Sequence, residues 1–212
     1  ASNQTSDCYD LTVESGASLT IQSDATGTGS LIIHGTATGD INMEIYIEGY
    51  GTTSTGWHLI SPAVENIAVQ GGFVPTTPDA DEDLYFWDEA TGYWINHKTD
   101  NGSWNTSFDD PFIEGKGYLY ANKTDVTKTL TGVPNTGTFQ TGSGEMPALT
   151  YGSTNYKGLN LIGNPFASGI DWDELSKSND VYGTVHVRNA QGQYDAWNGS
   201  TGDLNDGIIP QN

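Results

Sequence analysis

The chain reads as an all-β protein: a short segment of rung-like strands, then an antiparallel β-sandwich built from two related halves. Three observations predict this. Apolar residues recur at alternate positions over short runs, the period of a strand with one buried face. Glycine, 27 of 212 residues, joins abundant Thr, Ser and Asn in cutting the chain into short strands and many turns. One stretch also has an echo: Trp57-His58-Leu59-Ile60-Ser61-Pro62 shares its pattern with Leu159-Asn160-Leu161-Ile162-Gly163-Asn164-Pro165. Each copy follows a glycine (Gly56, Gly158) and ends at a proline, which cannot donate to a sheet ladder.

Residues 1–50 form the rung segment. Strands are predicted over 11–14, 18–21, 30–34 and 41–48, separated by turns at Gly16, Gly27-Thr28-Gly29 and Gly39-Asp40. Their spacing suits a β-solenoid or a meander, and the repeated Ala-Thr-Gly-Thr turns favour stacked rungs. The last strand alternates cleanly, with Ile41, Met43, Ile45 and Ile47 on one face, and is expected to join the next sheet. A polar Gly/Thr/Ser linker at 49–56 marks the boundary. The duplicated sandwich follows over 51–212, with copy one at about 57–121 and copy two at about 157–212.

Within copy one, 84–88, a turn at 89–92 and 93–96 have the signature of a hairpin. Copy two repeats it at 183–188, 189–192 and 193–197. Residues 65–83 and 98–111 read as loops, 127–133 and 137–141 as two strands between the copies, and 172–177 as one or two helical turns capped by Asp171. Copy one closes on 112–120, but copy two reaches Ile208-Ile209-Pro210 with no matching last strand. Such a gap leaves unpaired backbone groups, so a further short apolar strand is expected beyond Asn212, with the gap here solvent-exposed, closed by the N-terminal segment or filled by strand exchange with another chain.

These motifs resemble a region of large secreted or cell-surface proteins of Bacteroidetes exported by the type IX pathway. The resemblance rests on 57–62, Gly115-Lys116-Gly117-Tyr118, Leu161-Ile162-Gly163-Asn164-Pro165-Phe166 with Ile170-Asp171-Trp172, and the leading Leu11-Thr12-Val13-Glu14-Ser15-Gly16-Ala17-Ser18-Leu19-Thr20. It covers most of the chain and implies an extracellular or outer-surface β module. It carries over no catalytic residue, because the region occurs in adhesins and in carbohydrate-degrading enzymes alike.

The net charge is −20, with seven Lys and Arg against 27 Asp and Glu. Such a chain repels phosphate, which argues against nucleic-acid partners and anionic membranes. No apolar run is long enough to insert into a membrane as a helix. The single cysteine, Cys8, has no partner for an internal disulfide, which leaves only pairing with a cysteine of another segment or chain.

Two clusters are candidate sites. Asp79-Ala80-Asp81-Glu82-Asp83 places Asp79, Asp81 and Asp83 at alternate positions, where mutual repulsion is relieved by a hard cation such as Ca²⁺ or by salt. The loop departs from a calcium-binding EF-hand, since Leu84 stands where glycine is needed. Among the aromatics, Trp104 lies in the polar loop Asn101-Gly102-Ser103-Trp104-Asn105-Thr106 and is the expected binding anchor, with Tyr93 and Trp94 beside it. Trp57, Tyr85 and Trp87 lie in strand patterns and are expected in the core. Nucleophile-elbow and zinc-helix motifs are absent. The function expected is therefore a non-catalytic module for adhesion or glycan binding, at a glycan or a host or matrix surface. The alternatives are a polysaccharide-active enzyme using paired carboxylates, and a structural spacer of a surface assembly.

Overall fold

The structure is a computed structural model that describes residues 4–51, 56–142, 146–189 and 191–211. The middle of the expected linker (52–55), position 190 of the second turn, the first three residues and Asn212 lie outside the described residues.

The fold is all-β. The N-terminal strands are β1 (Thr5–Cys8), β2 (Leu11–Thr12), β3 (Thr20–Ile21), β4 (Ser23–Asp24), β5 (Gly27–Thr28), β6 (Ser30–Ile33), β7 (Ala37–Thr38) and β8 (Ile41–Ile47). Copy one contributes β9 (Trp57–Ile60), β10 (Glu82–Asp88), β11 (Tyr93–Asn96) and β12 (Tyr118–Asn122), and β13 (Val126–Gly132) follows. Copy two holds β14 (Ile170–Asp171), β15 (Val185–Arg188), β16 (Tyr194–Trp197) and β17 (Ile208–Ile209).

The N-terminal segment resolves the choice between solenoid and meander in favour of rungs. β1 runs parallel to β6, β2 to β7 and β3 to β8, so the chain passes through three short strands and repeats them one level higher. A small antiparallel pair, β4 and β5, makes the step between levels. The levels are close enough to demand glycine: a Cβ on Gly39, whose φ is +81°, would stand 2.0 Å from the Val13 carbonyl oxygen.

β8 then leaves the rung pattern and pairs antiparallel with β13 over its whole length. Its burial alternates as the sequence predicts, with Ile41, Met43, Ile45 and Ile47 inside. Facing it is an antiparallel sheet in the order β11-β10-β12-β9. The core lies between these layers and joins β8 and Leu130 to Ile60, Leu84, Tyr118 and Tyr120. Each fully buried aliphatic side chain here contributes roughly 1.5–3 kcal/mol. The loop over 65–81 is no strand, yet it closes the core with Ile67, Val69, Phe73 and Val74. The core therefore runs across the expected boundary near residue 50.

Two partly buried ion pairs meet the inner-face tyrosines of the sheet. Lys128 of β13 reaches Glu82 of β10 at 3.1 Å, and Tyr120 donates to the same carboxylate at 2.5 Å. Lys116 meets Asp109 at 2.5 Å, and Tyr118 donates to Asp109 at 2.9 Å. Both ammonium groups lie over aromatic faces, Lys116 at 3.7 Å from the Phe86 ring centre. Burial first, then the Asp109 charge for Tyr118 and its own hydrogen bond to Glu82 for Tyr120, pushes both phenols up.

Copy two repeats the hairpin, β15 with β16, but not the rest. Its Leu161-Ile162-Gly163 forms no strand of its own. Ile162 bridges to Lys116, and Gly163 donates to the Gly115 carbonyl at 2.9 Å, so the second motif docks on the closing segment of the first copy. Glycine is needed at the contact, where a Cβ on Gly163 would fall 2.2 Å from Ser61 Oγ. β17 pairs with β14, and among the described residues β15 has no strand neighbour besides β16. Two further expectations are corrected. Residues 137–141 make only an isolated bridge from Thr141 to Met146, since Gly137 and Gly142 at positive φ turn the chain. Residues 172–177 form a turn rather than a helix: Asp171 accepts from Asp173 N–H, but the segment is too short to nucleate.

Candidate functional site

The pleat sends alternate residues of β10 and β11 to opposite faces. Glu82, Leu84 and Phe86 point inward. Asp83, Tyr85 and Trp87 point outward, opposite Asn96 and Trp94 of β11. This corrects the expectation that Trp57, Tyr85 and Trp87 belong to the core: all three are half-buried on the outer face, where Trp57 and Tyr85 lie 5.7 Å apart.

Trp87 is the hub of an aromatic platform. Its ring meets Trp94 at 5.4 Å and Tyr156 at 5.6 Å, both edge to face. Its indole N–H donates to the Leu159 carbonyl at 2.6 Å, so the polar edge is spent and the apolar surface remains. Exposed around it are Trp94 (40%), Tyr156 (56%) and Leu159 (57%), with Tyr151 (75%) on the same loop as Tyr156. That is a concentration of exposed aromatic area well beyond the single apolar residues of an ordinary surface.

The loop that brings in Tyr151 and Tyr156 is held by one carboxylate. Glu89, buried in the β10–β11 turn, accepts from Gly152 N–H at 2.7 Å and Gly158 N–H at 2.6 Å. These backbone donors, with the Thr150 hydroxyl, hold its pKa below the ordinary carboxylate value. Asn160 closes the loop by accepting from Thr150 N–H at 3.0 Å and donating to Thr150 O at 2.9 Å. The platform is thus ordered before any ligand arrives, which lowers the entropic cost of binding.

Toward the far end of the same hairpin the outer face opens into a cleft of about 650 Å³, lined by Tyr85, Asn96, Lys98, Asp79, Thr99 and Asp100 among others. Lys98 is fixed in it by Asp83 at 3.0 Å and the carbonyls of Asp79 and Glu82. Platform and cleft are two parts of one strip: Trp87 in the one and Tyr85 in the other are two positions apart on the same face of β10, about 7 Å.

The residues singled out in the sequence divide. Tyr93, 71% exposed, pairs with Asp88 and so projects to the other side of the hairpin, while Trp94 lies on the platform. Trp104 does not. It packs edge to face on His97 (6.0 Å) and Phe108 (5.9 Å) and pins the 98–111 loop to the core. The three acids do not converge either. Asp79 accepts from Asp81 N–H, Asp81 pairs with Lys123 at 2.9 Å and Asp83 pairs with Lys98. Among the described residues no three Asp, Glu, His or Cys side chains are grouped to hold a metal. The sequence reading missed Tyr151, Tyr156, Leu159 and Glu89. The signal was available for the tyrosines: Tyr151-Gly152-Ser153-Thr154-Asn155-Tyr156 is an aromatic pair in a polar loop, the same pattern that drew attention to Trp104.

The histidines supply no catalytic cluster. His97 is fully buried, with Nδ1 accepting from Leu84 N–H at 3.1 Å, and burial holds its pKa below 6.5. His58 packs by the Glu48 carbonyl, while His34 and His186 stand apart on the rungs and on β15. Among the described residues no helix is long and apolar enough to cross a membrane.

Residues 1–201 match a protein family described as a domain of unknown function, DUF8693, and the chain belongs to that family. No curated protein and no solved structure matches it.

Proposed function

We propose that this chain is a non-catalytic extracellular binding module that holds a glycan along the outer face of the β10–β11 hairpin. The observation that carries the reading is the pre-ordered aromatic platform of Trp87, Trp94 and Tyr156 running into a polar cleft. Flat indole and phenol faces pack on the apolar C–H faces of sugar rings, and Asn96 and the neighbouring acids offer partners to sugar hydroxyls. The acidic balance and the resemblance to secreted surface proteins support an extracellular setting, with adhesion to a glycan-coated host or matrix surface as its use. In this reading Asp81 and Asp83 serve as partners of lysines, and structural calcium plays no part at the site.

The test is binding to an immobilised glycan panel. Wild type and Trp104→Ala should share their positive signals, and Trp94→Ala and Tyr156→Ala should lose them. Full retention by Trp94→Ala overturns the proposal.

A further inference from the structure

We infer that the ligand of this strip is an uncharged, extended polysaccharide, and that anionic glycans are rejected. The inference rests on the glycan-binding reading above and adds the ligand's charge class. It comes from where the seven cationic side chains are. An ammonium has three donors, and Lys98, the cation inside the cleft, directs them at Asp83 and at the carbonyls of Asp79 and Glu82. Lys116 and Lys128 are consumed in the partly buried pairs with Asp109 and Glu82. Lys123 is paired with Asp81. Lys177 donates to the Trp172 and Leu175 carbonyls, and Arg188 to the Trp57 carbonyl.

Six of the seven are therefore engaged within the protein. The seventh, Lys157, lies 5.8 Å from the Tyr151 ring at the platform's margin. Against this one cation, the cleft carries Asp79 and Asp100, besides Asp83, whose charge Lys98 answers. A uronate or sulfate placed there meets like charge without a compensating guanidinium or ammonium, and the whole-molecule potential adds to the rejection. A neutral sugar meets the same carboxylates as acceptors for its hydroxyl protons, the geometry that favours charge-assisted hydrogen bonds. The strip's length, platform plus cleft, exceeds a single sugar ring and suits a chain.

The experiment is affinity electrophoresis of the whole chain through gels containing xyloglucan, mixed-linkage glucan or galactomannan as neutral probes, and alginate or chondroitin sulfate as anionic ones. Wild type, Trp94→Ala and Lys157→Ala are run side by side. The expected result is retardation by at least one neutral polymer and by neither anionic one. Trp94→Ala should weaken it at least about tenfold, and Lys157→Ala should leave it unchanged within about twofold. Retardation by an anionic polymer that is as strong or stronger, and sensitive to Trp94→Ala, overturns the charge inference while the platform reading survives. Retardation by none, or retardation indifferent to Trp94→Ala, overturns the platform reading and this inference with it.

Discussion

The two faces of the four-stranded sheet use the same residue types for opposite ends. On the inner face Tyr118 and Tyr120 are fully buried, and their hydroxyls are spent on carboxylates that are themselves paired with lysines. On the outer face Trp57, Tyr85, Trp87 and Trp94 are aromatic too, but no second layer covers them completely. There Trp87 settles its one polar atom on a backbone carbonyl and leaves its ring as surface. Inside, aromatic area is a means of cohesion. Outside, the same area, held still by Glu89 and Asn160, becomes a surface for a partner. If this is right, substitutions on the two faces separate stability from binding.

The largest effect is expected from Lys128→Met. It leaves Glu82, 3% exposed, as a buried charge without its cation, and should cost about 3–5 kcal/mol in denaturant unfolding. The double variant Glu82→Gln/Lys128→Met should recover much of that loss. An equal loss in both would show that the pair's charge is not what matters. Trp104→Ala comes next, at about 2 kcal/mol, since its ring contacts His97 and Phe108 but is only partly covered.

Acid should act in two stages, and the sign is the same in both. The folded pKa of His97 is lowered, chiefly by burial, so the unfolded chain takes up the proton first. Its contribution is complete above about 6.5 and is lost as pH falls below that value. Glu89, Asp10 and Asp125 are lowered chiefly by backbone N–H donors. Their contributions are complete above ordinary carboxylate values, 4.5 for Glu and 3.8 for Asp, and are lost as pH falls toward the depressed folded values. Unfolding midpoints followed from pH 7.5 downward should decline first with a His97-dependent step, absent in His97→Phe if that variant folds. Hydrogen exchange in 150–158 should rise only in the second stage. Loss of protection in that loop above pH 5 would contradict the role given to Glu89.

Much of the fold was legible in the chain, and the reasons differ by element. The alternation at Ile41, Met43, Ile45 and Ile47 settles both strand and face, because period two admits one burial pattern. Both hairpins were legible from turns ending in Gly92 and Gly192, each at positive φ. Which face of β10 is buried was not legible. Leu84-Tyr85-Phe86-Trp87 is apolar at every position, so alternation carries no sign, and only the packing of β8 and β13 against one side decides. The site was half legible for the same reason. Tyr93 and Trp94 stood out as aromatics, but Trp104 looked exposed because its neighbours are polar, while in the fold it packs on His97 and Phe108. The acidic loop pointed to a cation because carboxylates at alternate positions repel. The lysines that answer them, Lys98 and Lys123, lie just past the ends of β11 and β12, which spacing along the chain does not show.

The smallest effect on stability is expected at Trp94, where removal of an exposed ring should change unfolding free energy by no more than about 0.5–1 kcal/mol. That makes one paired measurement the most direct test of the account: unfolding free energy and glycan retention recorded on the same preparations of Trp94→Ala and Trp104→Ala. The account predicts a crossing, with Trp94→Ala stable but non-binding and Trp104→Ala destabilised but binding. The opposite crossing, or loss of binding in Trp104→Ala alone, would contradict the assignment of the outer face as the functional surface.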